Sequence, residues 1–416
     1  MQQQISIKLF WFLKKVKLLP FLIICLVFAF TAKAQNPNNT FPVLSDSSSI
    51  SLLTCGSGND LYSIFGHTAI RVKDPKNNLD VVFNYGTFQF TDDFLFLFAM
   101  GKLNYTLSVG SYEGFERGYQ FENRWVDEQV LNLDQQEVKE VFEFLTTNYL
   151  PENREYLYDF FYDDCCTRSR DVFETVLGEK LVYNFPTYET DTNFHDMLDV
   201  YLQNMQWVDF GMDLGLGKTA DRILSERDKM FLPDYVLRTY DQTNILHNGN
   251  LEPFVTTKRR VVESIPVPQP FDFLQPLMVF WGLFVLYLLL FFIPFTKKWL
   301  KILDLILYFS AGLCGILILF LWFVTDHTTT QVNFNILWTL PLYLFTAFTV
   351  FIKNKRIWLK RFYLLAAVLN GLLLISWVFL PQDMNEMFIP VILLLLWRNL
   401  EHAGVFGTSR QLNPQV

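Results

Sequence analysis

Cysteine and histidine are scarce in this chain, with five of each among 416 residues. So few cysteines cannot build a disulfide framework, and His67, His195, His247, His327 and His402 show none of the short spacings with which metal sites are ligated. The paired Asp92-Asp93 reads as a turn, so no metal and no cofactor is expected. There is no glycine-rich phosphate loop and no internal repeat, which removes the nucleotide-cradling and solenoid classes. Basic residues are the other shortage. Residues 35–270 hold 19 of them against 36 acidic ones, a net charge of about −17. That balance excludes a nucleic-acid partner and a purely electrostatic grip on anionic headgroups.

Apolar sequence is abundant, and it is confined to the two ends. Lys8, Lys14, Lys15 and Lys17 precede an apolar run from Leu18 to Phe30, and Ala32-Lys33-Ala34 precedes Gln35. This is the pattern of a cleaved secretory signal peptide over residues 1–34. From residue 274 onward, apolar stretches of spanning length follow at 274–295, 302–324, 334–352 and 362–380, with a fifth at 385–400. Lys297, Lys298 and Lys301 lie after the first stretch, and Lys353, Lys355, Arg356, Lys360 and Arg361 after the third. The alternate connections, Thr325 to Asn335 and Pro381 to Glu386, carry no Lys or Arg. Positive charge stays inside, so residues 35–270 lie outside the membrane. The expected layout is an outer domain at 35–270, a transmembrane domain of four to five helices at 271–403 and a tail at 404–416. Trp281, Trp299, Trp338, Trp358 and Trp397 are placed for an interfacial belt.

Within the outer domain, strands are expected at Ser49–Thr54, Thr68–Lys73, Val81–Tyr85 and Leu103–Gly110. The turn Asp74-Pro75-Lys76-Asn77-Asn78 makes a hairpin with His67 at its mouth. Helical spacing covers Asp134–Tyr149 and Cys165–Leu177, the second capped by Asp164 and ended by Gly178. Cys165 thus opens a helix, where orphan N–H groups and the helix dipole stabilise a thiolate. Cys55, Cys165 and Cys166 cannot all pair, so one thiol stays free in an oxidising compartment; a Cys55–Cys166 bridge is open, and a vicinal Cys165–Cys166 bridge is strained.

Singly, His67 reads as a buried histidine and Cys165 as a core thiol. Together they match the nucleophile and base of a thiol enzyme. Asn84 and Tyr85 lie near the position opposite His67, and a one-residue slip in register exchanges them. Asn84, whose amide accepts from the imidazole, is the preferred third catalytic residue; Tyr85 and Arg168 are candidate substrate-binding residues. Arg168 and Arg170 pair with Asp164, Asp171 or Glu174, or Arg168 instead meets a phospholipid phosphate. Asp326, His327, Asn333, Asn335 and Gln382 are ordinary loop residues or help shape an acceptor cleft.

The order histidine before cysteine resembles the circularly permuted papain-like branch, which includes NlpC/P60-like hydrolases and lecithin:retinol acyltransferase-like enzymes. A closer resemblance rests on four stretches: Leu53-Thr54-Cys55-Gly56 with Leu61-Tyr62-Ser63-Ile64-Phe65-Gly66-His67, Val82-Phe83-Asn84-Tyr85-Gly86-Thr87-Phe88, Asp163-Asp164-Cys165-Cys166-Thr167-Arg168-Ser169-Arg170-Asp171, and Met230-Phe231-Leu232-Pro233-Asp234-Tyr235. These resemble the Lnb-type bacterial lipoprotein N-acyltransferase family. The resemblance implies an α+β permuted papain-like (NlpC/P60-like) periplasmic domain followed by an all-α transmembrane domain in the inner membrane. It implies transfer of a fatty acyl group from a membrane phospholipid, through a Cys165 thioester, to the N-terminal amine of a diacylated lipoprotein, with His67 on the family's histidine position. The chain departs from the usual Asn-Cys-Thr-Thr-Arg pattern at Asp164 and Cys166. Two other readings are a cell-wall peptidase or amidase with a membrane anchor, and a non-catalytic sensor or assembly protein.

Overall fold

The computed structural model describes residues 41–88, 91–186, 191–266, 273–293 and 296–406. The expected signal peptide and the 270/271 domain boundary lie outside the described residues, as does most of the expected tail. The described residues from Leu44 onward form one compact unit.

Its first part is α+β. In chain order the elements are β1 (Ser49–Cys55), β2 (His67–Asp74), β3 (Leu79–Thr87), α1 (Phe94–Ala99), β4 (Asn104–Ser111), α2 (Tyr112–Phe121), β5 (Val126–Leu131), α3 (Gln135–Asn148), β6 (Glu155–Leu157) and α4 (Cys165–Leu177). Then come β7 (Leu181–Val182), α5 (Phe194–Leu202), α6 (Gln206–Gly215), α7 (Pro233–Gln242), β8 (Asn244–His247), β9 (Asn250–Pro253) and β10 (Val255–Val262). Seven strands make one antiparallel sheet in the order β10-β5-β1-β2-β3-β4-β6, and β7, β8 and β9 make a second. The β2–β3 turn forms where the sequence places it: Asp74 accepts from Lys76 N–H, and Asn78 takes the left-handed conformation at φ 50°. Ile70 then faces Phe83 in the ladder.

Strands β5 to β10 were not expected from the sequence; in β5 and β10 the reason is charge, which hides them. In β5, Asp127, Glu128 and Gln129 are buried, where Arg260 pairs with Asp127 and Arg71 and Arg259 pair with Glu128. Gln129 donates to the Leu237 carbonyl at 2.9 Å. Strand β10 supplies two of those arginines from the sheet edge, so buried carboxylates meet cations instead of going unpaired.

α3 and α4 start as read. Asp134 and Asp164 each form a capping box, and Gly178 follows α4. α4 lies on β2 and β3 and drives Phe173, fully buried, edge-on against Tyr240 and Phe254 with ring centroids 6.0 Å away. Burying one such ring stabilises the fold by roughly 1.5–3 kcal/mol, which fastens the helix that carries Cys165 to α7 and to the turn before β10.

The second part is helical: α8 (Pro276–Phe292), α9 (Lys297–Phe323), α10 (Tyr343–Thr346), α11 (Ile357–Ile375) and α12 (Ile389–Ala403). α9 and α11 are long and apolar enough to cross a membrane. They turn large apolar side chains outward, among them Ile306, Leu313, Leu365 and Leu372, and keep Tyr308, Tyr363 and Asn370 inside, the distribution a lipid solvent selects. The stretch at 334–352 is not one continuous helix. It comprises short pieces at Phe334–Leu337, Tyr343–Thr346 and Ala347–Phe351. Pro341 has no N–H to continue a helical ladder, and the chain instead presses against two glycines of α9. A Cβ on Gly312 would lie 2.2 Å from Leu344 N, and one on Gly315 would lie 1.9 Å from Thr339 O. Trp338 is also not a belt residue: it is buried and donates to Asn335 Oδ1 at 2.8 Å.

The basic-free loops meet the α+β part. Asn333 donates to the Leu214 carbonyl at 2.8 Å, Asn335 to the Asp213 carbonyl at 3.0 Å, and Gln382 to the Leu216 carbonyl at 3.0 Å. Asp383 N–H donates to Asp221 at 3.1 Å. These side chains are therefore clasps between the two parts, and they place both loops on the same side of the membrane as the α+β domain.

Candidate active site

Strand β2 begins at His67, and strand β3 lays Asn84 beside it. His67 Nε2 and Asn84 Oδ1 are 2.6 Å apart. An amide oxygen only accepts, so the imidazole proton sits on Nε2 and Nδ1 is the nitrogen free to exchange a proton. Continuing the ladder, Gly86 falls opposite His67 with φ 88°. A Cβ there would lie 3.5 Å from Cys165 Cβ and 3.7 Å from His67 Cε1. Gly86 thus marks the point where cysteine and histidine converge, and its bare backbone leaves room above them. Neither this glycine nor Thr68 was singled out from sequence. The Thr68 hydroxyl donates to the Cys165 carbonyl at 2.9 Å, which ties the start of α4 to β2.

Cys165 is half-buried and Cys166 fully buried, with their sulfurs 3.8 Å apart. The hydrogen bond from Cys166 holds the Cys165 thiol well below its ordinary range against the opposing effect of burial. The charge and hydrogen bond of His67, and the Thr68 N–H, act in the same direction. Burial pushes the Cys166 thiol well up, and the neighbouring Cys165 charge adds to it. For His67, burial works against the charged ring, but the Cys165 thiolate and Asn84 outweigh it and raise the imidazole above its ordinary value. The direction is that of an imidazolium–thiolate pair, with Cys165 the ionised sulfur.

The cap has a cost for anion binding. Asp164 Oδ1 accepts from Cys166 N–H at 3.0 Å and Thr167 N–H at 2.8 Å, so those two donors of the first turn are already engaged. Burial, and next the Cys165 charge, push the Asp164 carboxyl well above the usual carboxylate range. A neutral carboxylic acid at this N-cap has the same hydrogen-bonding outline as an asparagine.

The other candidates lie elsewhere. Tyr85 faces away from His67, as alternation along β3 requires. It is buried, its ring is 6.2 Å from that of Tyr156, and its hydroxyl accepts from Asn148 at 2.9 Å, so it does not line the cleft. Arg168 is engaged by Asp163, at 2.5 Å through Nε and 2.7 Å through Nη2, and its guanidinium lies 3.7 Å over the Tyr156 ring. It pairs with neither Asp164, Asp171 nor Glu174, and its fork is not open to a phosphate. All cysteines among the described residues are free. Cys55, opposite His67 in the β1–β2 ladder, makes no bridge to Cys166, and burial pushes its thiol up to about 12.

Residues 39–193 match the family of the Lnb N-terminal periplasmic domain, and residues 268–407 match that of the Lnb transmembrane domain. Together these cover most of the chain and fall on its α+β and helical parts. No curated protein and no solved structure matches it.

Proposed function

This chain belongs to the Lnb family, and from that premise we propose that it is a lipoprotein N-acyltransferase that works through a Cys165 thioester. The family supports an acyltransferase role for a membrane-anchored protein with a periplasmic domain; the residue-level mechanism is our reading. The observation that carries it is the convergence of His67, Asn84 and Cys165 at Gly86, with the sulfur held low and the imidazole held high.

In the first half-reaction the Cys165 thiolate attacks an ester carbonyl of a phospholipid. The C–S bond forms, the C–O bond breaks, and the departing alkoxide takes the proton from the His67 imidazolium, leaving a lysophospholipid. In the second, the N-terminal amine of a diacylated lipoprotein attacks the thioester. Its proton passes to His67, the C–S bond breaks, and the imidazolium–thiolate pair returns. Since Cys166 and Thr167 N–H are held by Asp164, the oxyanion donor we assign is the N–H of Cys165 itself. Two lipid substrates account for a thiol domain clasped to a full membrane domain, where a cell-wall peptidase needs only an anchor.

The test is direct. Purified protein incubated with phospholipid vesicles is expected to carry a hydroxylamine-sensitive acyl group on Cys165, and a diacylated lipopeptide with a free amine is expected to discharge it as the N-acyl product. Cleavage of a peptidoglycan fragment without any acyl adduct would instead establish the peptidase.

A further inference from the structure

Strand β3 does not end at the catalytic groups. Two residues beyond Gly86 stands Phe88, and six residues further the chain forms α1, Phe-Leu-Phe-Leu-Phe-Ala. Such a helix in a soluble domain would be a liability, for Phe96 is 65% and Phe98 49% exposed. Its lower end is fastened to the membrane domain. Asp326 N–H donates to the Met100 carbonyl at 3.0 Å and His327 Nε2 to the Phe98 carbonyl at 3.2 Å, and Lys102 lies 3.6 Å from Asp326. Asp326 and His327 follow directly on α9, whose last residue, Phe323, is itself 70% exposed. The exposed rings of α1 therefore stand at the outer end of a membrane span, where lipid covers apolar surface.

From there aromatic rings lead inward. Phe98 stacks on Phe94 at 6.3 Å, Phe94 on Phe88 at 5.3 Å, and Phe88 lies 5.1 Å from Tyr105. Tyr105 lies within electrostatic reach of the sulfur: burial, and next the Cys165 charge, push its hydroxyl up to about 12.

We propose that α1 dips into the outer leaflet through Phe96 and Phe98, and that Phe94, Phe88 and Tyr105 form the wall along which one acyl chain of a phospholipid reaches Cys165. This rests on the acyltransferase reading and names the path of its donor.

Two measurements on the full-length protein in vesicles test it. In the first, phosphatidylethanolamine with a diazirine at the end of one acyl chain is photolysed with the Cys165→Ala variant, and adducts are mapped by mass spectrometry. Adducts at residues 88–105 support the path; adducts confined to residues 276–403 overturn it. In the second, Phe96→Ser with Phe98→Ser is compared with the unmutated protein for acylation of Cys165 by phospholipid vesicles and by soluble p-nitrophenyl butyrate. Loss of two rings that the proposal places in lipid is expected to lower loading from vesicles about tenfold or more and to leave loading from the soluble ester within about twofold. Equal loss with both donors, or no loss with either, overturns the proposal. Adducts at 88–105 in a protein that forms no thioester from any donor would overturn the acyltransferase reading and leave the lipid path standing.

Discussion

The thiol beside Cys165 offers the sharpest test of the proposed site. Cys166 is buried, stays protonated because burial pushes its thiol up, and donates to Cys165 across 3.8 Å. Of the influences that lower the Cys165 thiol it is the largest. Replacing it with alanine removes the donor and little volume. A hydrogen bond to a charged group contributes roughly 1.5–3 kcal/mol, and a long bond from a weak S–H donor belongs at the low end, about 1.5 kcal/mol. That corresponds to about a tenfold shift of the thiolate–thiol balance toward the thiol. The sign follows from the direction of the perturbation. The Cys165 thiol is held low, so its thiolate is present above the depressed value and is lost as pH falls through it. Without the donor the loss occurs at higher pH. The assay is the pH profile of iodoacetamide alkylation at Cys165, followed by mass spectrometry of the peptide; Cys166 is silent near neutral pH in the unmutated protein. Cys166→Ala is expected to move the profile upward, and Cys166→Ser, which keeps a donor, to stay close to the unmutated curve. Identical profiles for all three proteins would refute the assignment of Cys166 as donor.

His67→Ala is expected to slow thioester formation by about 10²- to 10⁴-fold with the thermal midpoint unchanged; a loss of stability that matches the loss of rate would make the histidine structural. Asp164→Asn should keep at least half the activity, since the buried carboxyl is already pushed toward its neutral form, whereas Asp164→Ala should cost about 1 kcal/mol of stability as a lost cap. Equal damage from the two would contradict a neutral Asp164. Within the membrane domain, Arg398 bonds Asp304 at 2.7 and 2.8 Å in a fully buried pair. Asp304→Ala should destabilise the detergent-solubilised protein by about 3–5 kcal/mol, and adding Arg398→Leu should recover part of that; a stable single variant would show the pair to be dispensable. A cysteine tag at exposed Gln331 should react from the periplasmic side and one at exposed Asn354 only after permeabilisation, and the reverse pattern would invert the topology.

The juxtaposition of His67, Asn84 and Cys165 was legible in sequence because local rules determine it. A strong turn at 74–78 fixes the hairpin, the hairpin fixes which side chains face His67, and Asp164 fixes where α4 begins. Hence Asn84, and not Tyr85, lies at the imidazole. Arg170 takes the expected partners Asp171 and Glu174, while Arg168 pairs with Asp163, which lies just outside the helix, where the spacing rules for helical ion pairs do not apply. β5 and β10 were missed because apolar alternation was the signal sought, while that sheet edge is built from reciprocal charges. The broken third span has the same hydropathy as a continuous one. Pro341 marks the break locally, but the path that the backbone takes is set by contact with Gly312 and Gly315, remote in sequence.

The clasp of Asn333, Asn335 and Gln382 has a kinetic consequence. Under the proposed chemistry, a domain held at constant height above the bilayer meets both substrates by lateral diffusion in one plane, and never searches the surrounding volume. Under the proposed chemistry these two encounters are very unequal. Phospholipid surrounds the protein at all times, so loading does not wait for a collision, while acceptor lipoproteins arrive rarely. The resting form in the cell is then the acylated one, and turnover follows the surface density of unfinished lipoproteins, not the supply of acyl donor.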